Sequence, residues 1–257
     1  MSWGSKVVRG AVHDLGCVLR GQPTERALRD DPFIAQQQIL RSQVVGTIFD
    51  VGANRGQTAR EYHRRFPKAT IYSFEPFPDS YRQLTAACAG LERVITRPLA
   101  VCDRPGTRQF FCNERSTMNS VLPFDGQAHK FINPEKTATG STIDVEGVTL
   151  DDFCTAGKIA HIDILKMDIQ GSELLALRGA AALFAAQAID LVFTEVLFAP
   201  MYAEQGYFHE ICGWLQERRY QLFGIYQQRF GPHRFLGWAN AIFCSPQLTR
   251  KLTAPSV

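Results

Sequence analysis

Residues 47–76 constrain this chain most. The apolar run TIFDV (47–51) leads into a turn holding Gly52 and Gly56, then into the stretch QTAREYHRRFP, and then into a second apolar run, TIYSF (70–74), which stops at Glu75 and Pro76. Short β-branched and aromatic runs on either side of an amphipathic stretch predict a βαβ unit, whose ligand crevice lies at the carboxyl ends of its strands. Glycine suits the turn because it lacks a Cβ and tolerates positive φ, so the backbone can approach a ligand closely. A carboxylate that closes the second strand, as Glu75 does, can accept hydrogen bonds from both hydroxyls of a ribose.

Glycine spacing narrows the ligand. A dinucleotide turn reads G-x-G-x-x-G and seats pyrophosphate on a helix N-terminus. Here the glycines are Gly52 and Gly56, and Asp50 precedes them. A carboxylate there repels pyrophosphate and suits a cationic ligand with a ribose and no phosphate, and S-adenosylmethionine is such a ligand. Asp50, Gly52, Ala53, Asn54 and Gly56 are then expected to cradle its methionine half, and Glu75 with Pro76 its ribose. Asn54 either caps the following helix or bonds the ligand carboxylate. Ala100 and Val101 are expected to end the third strand beside the adenine. Asp103 either accepts from the adenine amino group or belongs to an ordinary turn, Asp103–Gly106.

At 257 residues and 45% hydrophobic, the chain can bury a sizeable core as one domain with an extension. Its formal charge of +3, with arginines spread along the chain, leaves no basic footprint for nucleic acid. The cysteines, at 17, 88, 102, 112, 154, 212 and 244, form no CxxC pair and so suggest neither zinc nor a disulfide framework. No apolar run approaches the roughly 18 residues that a membrane helix needs. The start, MSWGSKVVRG, lacks the apolar core of a signal peptide. The expectation is a cytoplasmic protein with reduced thiols and no membrane or nucleic-acid partner.

The patterning predicts an N-terminal helical extension over 1–44. Val8, Val12, Leu15 and Leu19 share one helical face, and a second short helix covers Phe33–Leu40. The extension covers a sheet edge, closes over a pocket, or forms a homodimer contact. From 45 to 257, strands at 47–52, 70–75, 94–101, 163–169, 190–197, 221–226 and 238–244 alternate with helices at 57–66, 76–88, 172–187 and 207–219. That alternation implies an α/β, Rossmann-like fold: a seven-stranded, mostly parallel sheet with helices on both faces. The last two strands have only the loop Gln227–Gly237 between them, so the last strand is antiparallel. This is the layout of class I methyltransferases. An insertion over 103–148, between strands three and four, carries two short strands near 107–112 and 141–148. Thr149–Asp152 then matches a capping box.

With these elements placed, residues 45–245 resemble the FkbM family of methyltransferases. The resemblance is carried by FDVGAN (49–54) with Gly56, FEP (74–76), LAVCD (99–103) with Gly106, VTLDD (148–152), LKMDIQGSE (165–173) and LRG (177–179). Gln170 stands where a glutamate is common in the family. The resemblance implies S-adenosylmethionine-dependent transfer of a methyl group to a hydroxyl of a sugar, glycan or secondary metabolite.

Lys166 and Asp168 lie two apart on one strand and share a face, and Glu195 occupies the matching end of the next strand. Adjacent strands run about 5 Å apart, so Asp168 and Glu195 can converge. Together they would hold a divalent metal that acidifies a substrate hydroxyl, or one would act as general base. Lys166 completes this catalytic set. Glu173, in the first turn of a helix, suits the helix dipole. His161, His209 and His233 are further candidate bases. Asn119 and Ser120 of the insertion are expected to approach the cofactor or the small-molecule or glycan acceptor, and Tyr202 after the fifth strand is expected to wall the acceptor pocket. N-methylation, RNA methylation and a non-catalytic binding module of the same fold are the alternatives.

Overall fold

The computed structural model describes residues 23–132 and 139–254. The chain divides between Val44 and Val45 into two compact units. In the first, Thr24 caps helix α1 (Glu25–Asp30) and Asp31 caps α2 (Pro32–Ile39). Pro32 takes the first helical position, where a backbone N–H has no intrahelical partner anyway. The face of Val8, Val12, Leu15 and Leu19 lies outside the described residues.

The second unit is built on a seven-stranded sheet. In chain order its strands are β1 (Thr47–Val51), β2 (Thr70–Phe74), β3 (Val94–Arg97), β7 (Ile162–Met167), β8 (Ile189–Leu197), β9 (Gln221–Phe230) and β10 (Leu236–Cys244). Across the sheet the order is β3-β2-β1-β7-β8-β10-β9. All neighbours pair parallel except β10, which runs antiparallel to β8 and β9. β7 and β8 are buried along their whole length, as near-continuous apolar strands covered on both faces should be. The chain builds outward from β1 on one side and from β7 on the other. That reversal opens a crevice past the carboxyl ends of β1 and β7.

Helices α3 (Gln57–Arg65), α4 (Pro78–Ala87), α5 (Leu150–Gly157), α6 (Glu173–Arg178), α7 (Ala181–Ala185), α8 (Phe208–Glu217) and α9 (Pro246–Thr253) complete the unit. Phe49, Phe74, Leu165, Met167, Val192 and Phe243 lie in the main core. The half-buried Phe153 of α5 meets Phe49 and Phe74 edge-on, with ring centroids 5.7 and 4.9 Å away. No described helix is long and apolar enough to cross a membrane, and the described cysteines are free.

Four elements differ from expectation. The third strand ends at Arg97 rather than 101, since Pro98 has no N–H for a ladder. Ala100–Val101 instead form β4, which joins β5 (Gly106–Asn113) and β6 (Thr139–Val148) in a separate sheet of order β4-β6-β5. The expected helix 172–187 is two helices, broken around Gly179 and Ala180. A Cβ on Gly179 would sit 2.0 Å from the Cys102 carbonyl oxygen, so glycine lets the insertion dock there. The final hairpin turns within 231–235, and β10 slots between β8 and β9. Finally, Ser245 caps the unforeseen α9, with Pro246 at its first position.

The VTLDD stretch explains the helix break. Thr149 caps α5 by accepting from the Asp152 N–H at 3.0 Å. Asp151 accepts from the N–H groups of Ala182 and Leu183, at 2.8 and 3.0 Å, and so starts α7. Asp151→Ala leaves both groups uncapped, at a cost of about 1 kcal/mol. In a domain of this size the thermal midpoint should fall by roughly 2–4 °C. Calorimetry would read the shift, with far-ultraviolet dichroism unchanged.

Candidate functional site

β1, β2 and β7 end at a cavity of about 270 Å³. Gly52, Ala53, Asn54, Glu75, Pro76, Ala100 and Val101 all line it, as do Lys166 and Asp168. The turn is shaped by its neighbours. Gly52 has φ +76, and a Cβ there would lie 1.9 Å from the Asp168 carbonyl oxygen, so only glycine fits. The N–H groups of Gly52 and Ala53 both donate to the Phe74 carbonyl, at 3.0 and 2.9 Å. Asn54 follows with φ 47 and donates its backbone N–H to Glu75 Oε2 at 2.9 Å. The Phe77 N–H donates to Glu75 Oε1, also at 2.9 Å. Each carboxylate oxygen keeps lone-pair capacity for a ribose hydroxyl. Burial pushes the Glu75 carboxyl up to about 7, against those two N–H donors.

Asn54 does not cap the helix: the N-cap of α3 is Gly56, and no side chain caps it. Asn54 Oδ1 is instead buried without a hydrogen-bond partner at the cavity wall. Gly56 is absent from that wall; its φ of +84 and close approach to Leu84 and Cys88 give it a packing role.

Asp50 is fully buried and also does not line the cavity. Its Oδ1 lies 2.9 Å from Lys166 Nζ, which also donates to the carbonyls of Gly52 and Val51 at 2.9 and 3.2 Å. Burial works against the Lys166 charge, but the Asp50 and Asp168 carboxylates hold its pKa above the ordinary lysine value. A protonated, fully engaged ammonium cannot accept a proton. The geometry therefore gives Lys166 a positioning role rather than a base's role, and Asp50 acts through it.

Asp103 lies away from the cavity, paired with Arg104 and Arg108 at 3.5 and 3.7 Å. The sheet change at Pro98 takes the chain off the third strand before Asp103. The insertion supplies other walls of the cavity: Phe110, Thr117, Asn119 and Val121. Asn119 thus belongs to this cavity. Its Oδ1 accepts from the Asn113 N–H at 2.7 Å, and its buried Nδ2 has no partner.

Asp168 and Gln170 also line a second cavity of about 530 Å³, with Glu195, Met201, Phe230 and Trp238 among its walls. β7 pairs with β8 so that Met167 faces Thr194, which sets Asp168 opposite Glu195. The carboxylates do converge, but the Gln170 amide stands between them. Its Nε2 donates to Asp168 Oδ1 at 2.8 Å and to Glu195 Oε2 at 2.9 Å. Burial, then the Asp168 and Glu173 carboxylates, push Glu195 well above the ordinary range. Glu173 is fully buried, its Oε1 accepting from the Ile169 N–H at 2.8 Å, and burial raises it to about 7. Asp168 is the carboxylate that reaches both cavities.

Ser120 and Tyr202 line neither cavity. Ser120 Oγ donates to the Gln170 carbonyl at 2.8 Å, and the Tyr202 hydroxyl lies 2.9 Å from Gln170 Oε1. Both hold Gln170 in place. His161 is at the amino ends of β7 and β8, 3.2 Å from Asp190, and among the described residues only His161, Asp163 and Asp190 have the spacing of a metal cluster. That cluster is at the far end of the sheet from the crevice, and Asp163 Oδ2 already accepts from the N–H groups of Gly46 and Thr47. His209 and His233 are exposed on α8 and on the hairpin tip. Arg115, Phe131, Phe230 and Trp238 of the second cavity were not expected. They come from the insertion and the last hairpin, with no local pattern to mark them.

A mostly parallel seven-stranded sheet with an antiparallel β10, a glycine turn after β1 and a glutamate at the cavity after β2 has the layout of a class I methyltransferase. The chain belongs to the FkbM methyltransferase family: residues 50–222 match the Methyltransferase FkbM domain. It is 28% identical over 130 residues to the 2-O-methyltransferase NoeI of Sinorhizobium fredii, covering 49% of this chain and 54% of that one. It is 32% identical over 152 residues to the 31-O-demethyl-FK506 methyltransferase FkbM of Streptomyces tacrolimicus, covering 51% and 58%. It is 23% identical over 172 residues to the hexuronic acid methyltransferase AglP of Haloferax volcanii, covering 66% and 64%. The matched segments thus span between about half and two thirds of those relatives' lengths.

Lys166→Met strands the Asp50 carboxylate in the core, which costs about 3–5 kcal/mol. Asp50→Asn together with Lys166→Met should recover most of that loss. Urea unfolding of the single and double variants separates this positioning role from a catalytic one, which would leave stability unchanged.

Proposed function

We propose that the protein is an S-adenosylmethionine-dependent O-methyltransferase acting on a hydroxyl of a sugar, glycan or secondary metabolite. The observation that carries it is the meeting of two cavities at Asp168 and Gln170. The first suits S-adenosylmethionine: Glu75 faces the ribose, the Asn54 Oδ1 and Asn119 Nδ2 atoms lack protein partners, and no phosphate-binding turn is present. Bound there, S-adenosylmethionine supplies a methyl group already activated by a sulfonium.

The protein's part is mainly to position. Gly52, held against Asp168, sets the floor of the first cavity. The second cavity takes the acceptor, with Phe131, Phe230 and Trp238 offering ring faces to an apolar or carbohydrate ring and Arg115 at its wall. A hydroxyl has a high pKa, and Asp168 is the base placed to take its proton as the new C–O bond forms. Burial pushes the Glu195 carboxyl well above the ordinary range, and the Gln170 amide donates to both carboxylates. The relatives' names, two for O-methyl transfer and one for a hexuronic acid, support a hydroxyl acceptor. Divalent metal at Asp168 and Glu195 gains no support from this geometry, because the Gln170 amide fills the interval.

Calorimetric titration tests the cofactor. S-adenosylmethionine should bind and NAD should not, and Glu75→Ala should weaken binding by about tenfold to a hundredfold, as lost charged hydrogen bonds do. The Glu75 carboxyl is raised, so it is protonated below about 7 and ionised above it. Ribose hydroxyls donate better to the ionised form, so affinity should climb as pH rises through that point. In Glu75→Gln that climb should vanish. With an acceptor found among sugars and polyketide hydroxyls, Asp168→Asn should slow transfer by about 10²–10⁴ while leaving cofactor affinity nearly unchanged. Equal binding of NAD, or no binding of either, would defeat this function.

A further inference from the structure

We infer that Gln170 does the work a cation would do between Asp168 and Glu195, so that this site operates without a divalent metal. An amide nitrogen carries two hydrogens, and here each has a carboxylate: Asp168 Oδ1 at 2.8 Å and Glu195 Oε2 at 2.9 Å. The amide is held from its other end. Gln170 Oε1 lies 2.9 Å from the hydroxyl of Tyr202, which is 1% exposed. Flipping the amide would turn an oxygen toward two carboxylates and leave a hydroxyl facing an N–H₂ group, so one orientation is selected.

The backbone is equally constrained. Gln170 has φ 55, in the left-handed region, and its carbonyl accepts from Ser120 Oγ at 2.8 Å. Gly171 follows with φ +93, and a Cβ there would lie 2.9 Å from the Tyr202 ring. The side chain therefore cannot swing out to admit an ion without breaking contacts on both sides. A divalent ion such as magnesium, manganese or calcium needs oxygen ligands about 2.0–2.6 Å away. The position between the two carboxylates instead holds a nitrogen that has no lone pair to give. Lys166, whose charge acts on Glu195, is committed to Asp50 and two carbonyls, so it does not bridge the pair either.

Glutamate has glutamine's shape with an oxygen in place of Nε2. In Gln170→Glu three carboxylates would converge, and a bound cation would relieve their repulsion. The test is a titration of manganous ion into the full chain, read by calorimetry and by the melting temperature. It needs neither acceptor nor cofactor, so its outcome is separable from that of the methyl-transfer reading. The wild type should show no saturable binding and no stabilisation. Gln170→Glu should bind manganese at least about tenfold more tightly and melt higher with it than in chelator. Adding Asp168→Asn to that variant should abolish the gain. Saturable manganese binding by the wild type that Asp168→Asn removes would overturn the inference. So would a Gln170→Glu protein that gains no manganese affinity, or one that manganese cannot keep folded.

Discussion

An ammonium buried among backbone carbonyls anchors this site. Lys166 Nζ has three hydrogens and meets three acceptors: Asp50 on the neighbouring strand, and the carbonyls of Val51 and Gly52. Taking both charges out of water is costly, and a buried pair of this kind is a poor source of stability. What it provides is geometry. It fastens the end of β1 to β7 and forces the carbonyls of the turn toward the sheet, so the chain beyond them bends to face Glu75. Gly52 then lies against the Asp168 backbone, and Asn54 reaches Glu75. Moving the lysine would displace both ends of the cofactor crevice.

The second anchor is neutral. Gln170, Tyr202 and Ser120 join β7, the segment after β8 and the insertion through hydrogen bonds around one amide. In surroundings of low polarity, two carboxylates side by side would repel unless one is protonated or something donates to both. Here the amide donates to both and burial favours protonation of Glu195. Asp168 is left with access to both cavities. Chemistry is thus concentrated on one side chain, and its neighbours serve to place it.

Much of this was legible because it is local. The glycine turn, Glu75 and the strands around them follow from residue types at short spacing, and the insertion announced itself by interrupting the alternation. The VTLDD box marked the start of α5, though not that Asp151 would also cap α7, thirty residues on. Less was legible where a side chain's partner lies far along the chain. Asp50 reads as a ligand contact until Lys166 is known to face it. Asp103 reads as an adenine contact until Pro98 diverts the chain into the small sheet. Asn119 lines the first cavity, while Ser120 and Tyr202 turn inward to Gln170.

The amino-acid sequence by itself determined the fold class, the position of the crevice and the glutamate that lines it after β2. Those depend on hydrophobic period, glycine's backbone freedom and strand order, all of which act over a few residues or along one element. Only the tertiary structure decided which polar groups face the ligand and which face each other. It also decided that an amide separates Asp168 from Glu195, and that the second cavity is walled by the insertion and the last hairpin. The reason is physical: a buried polar group's role is set by what satisfies it, and its partners here sit tens to more than a hundred residues away.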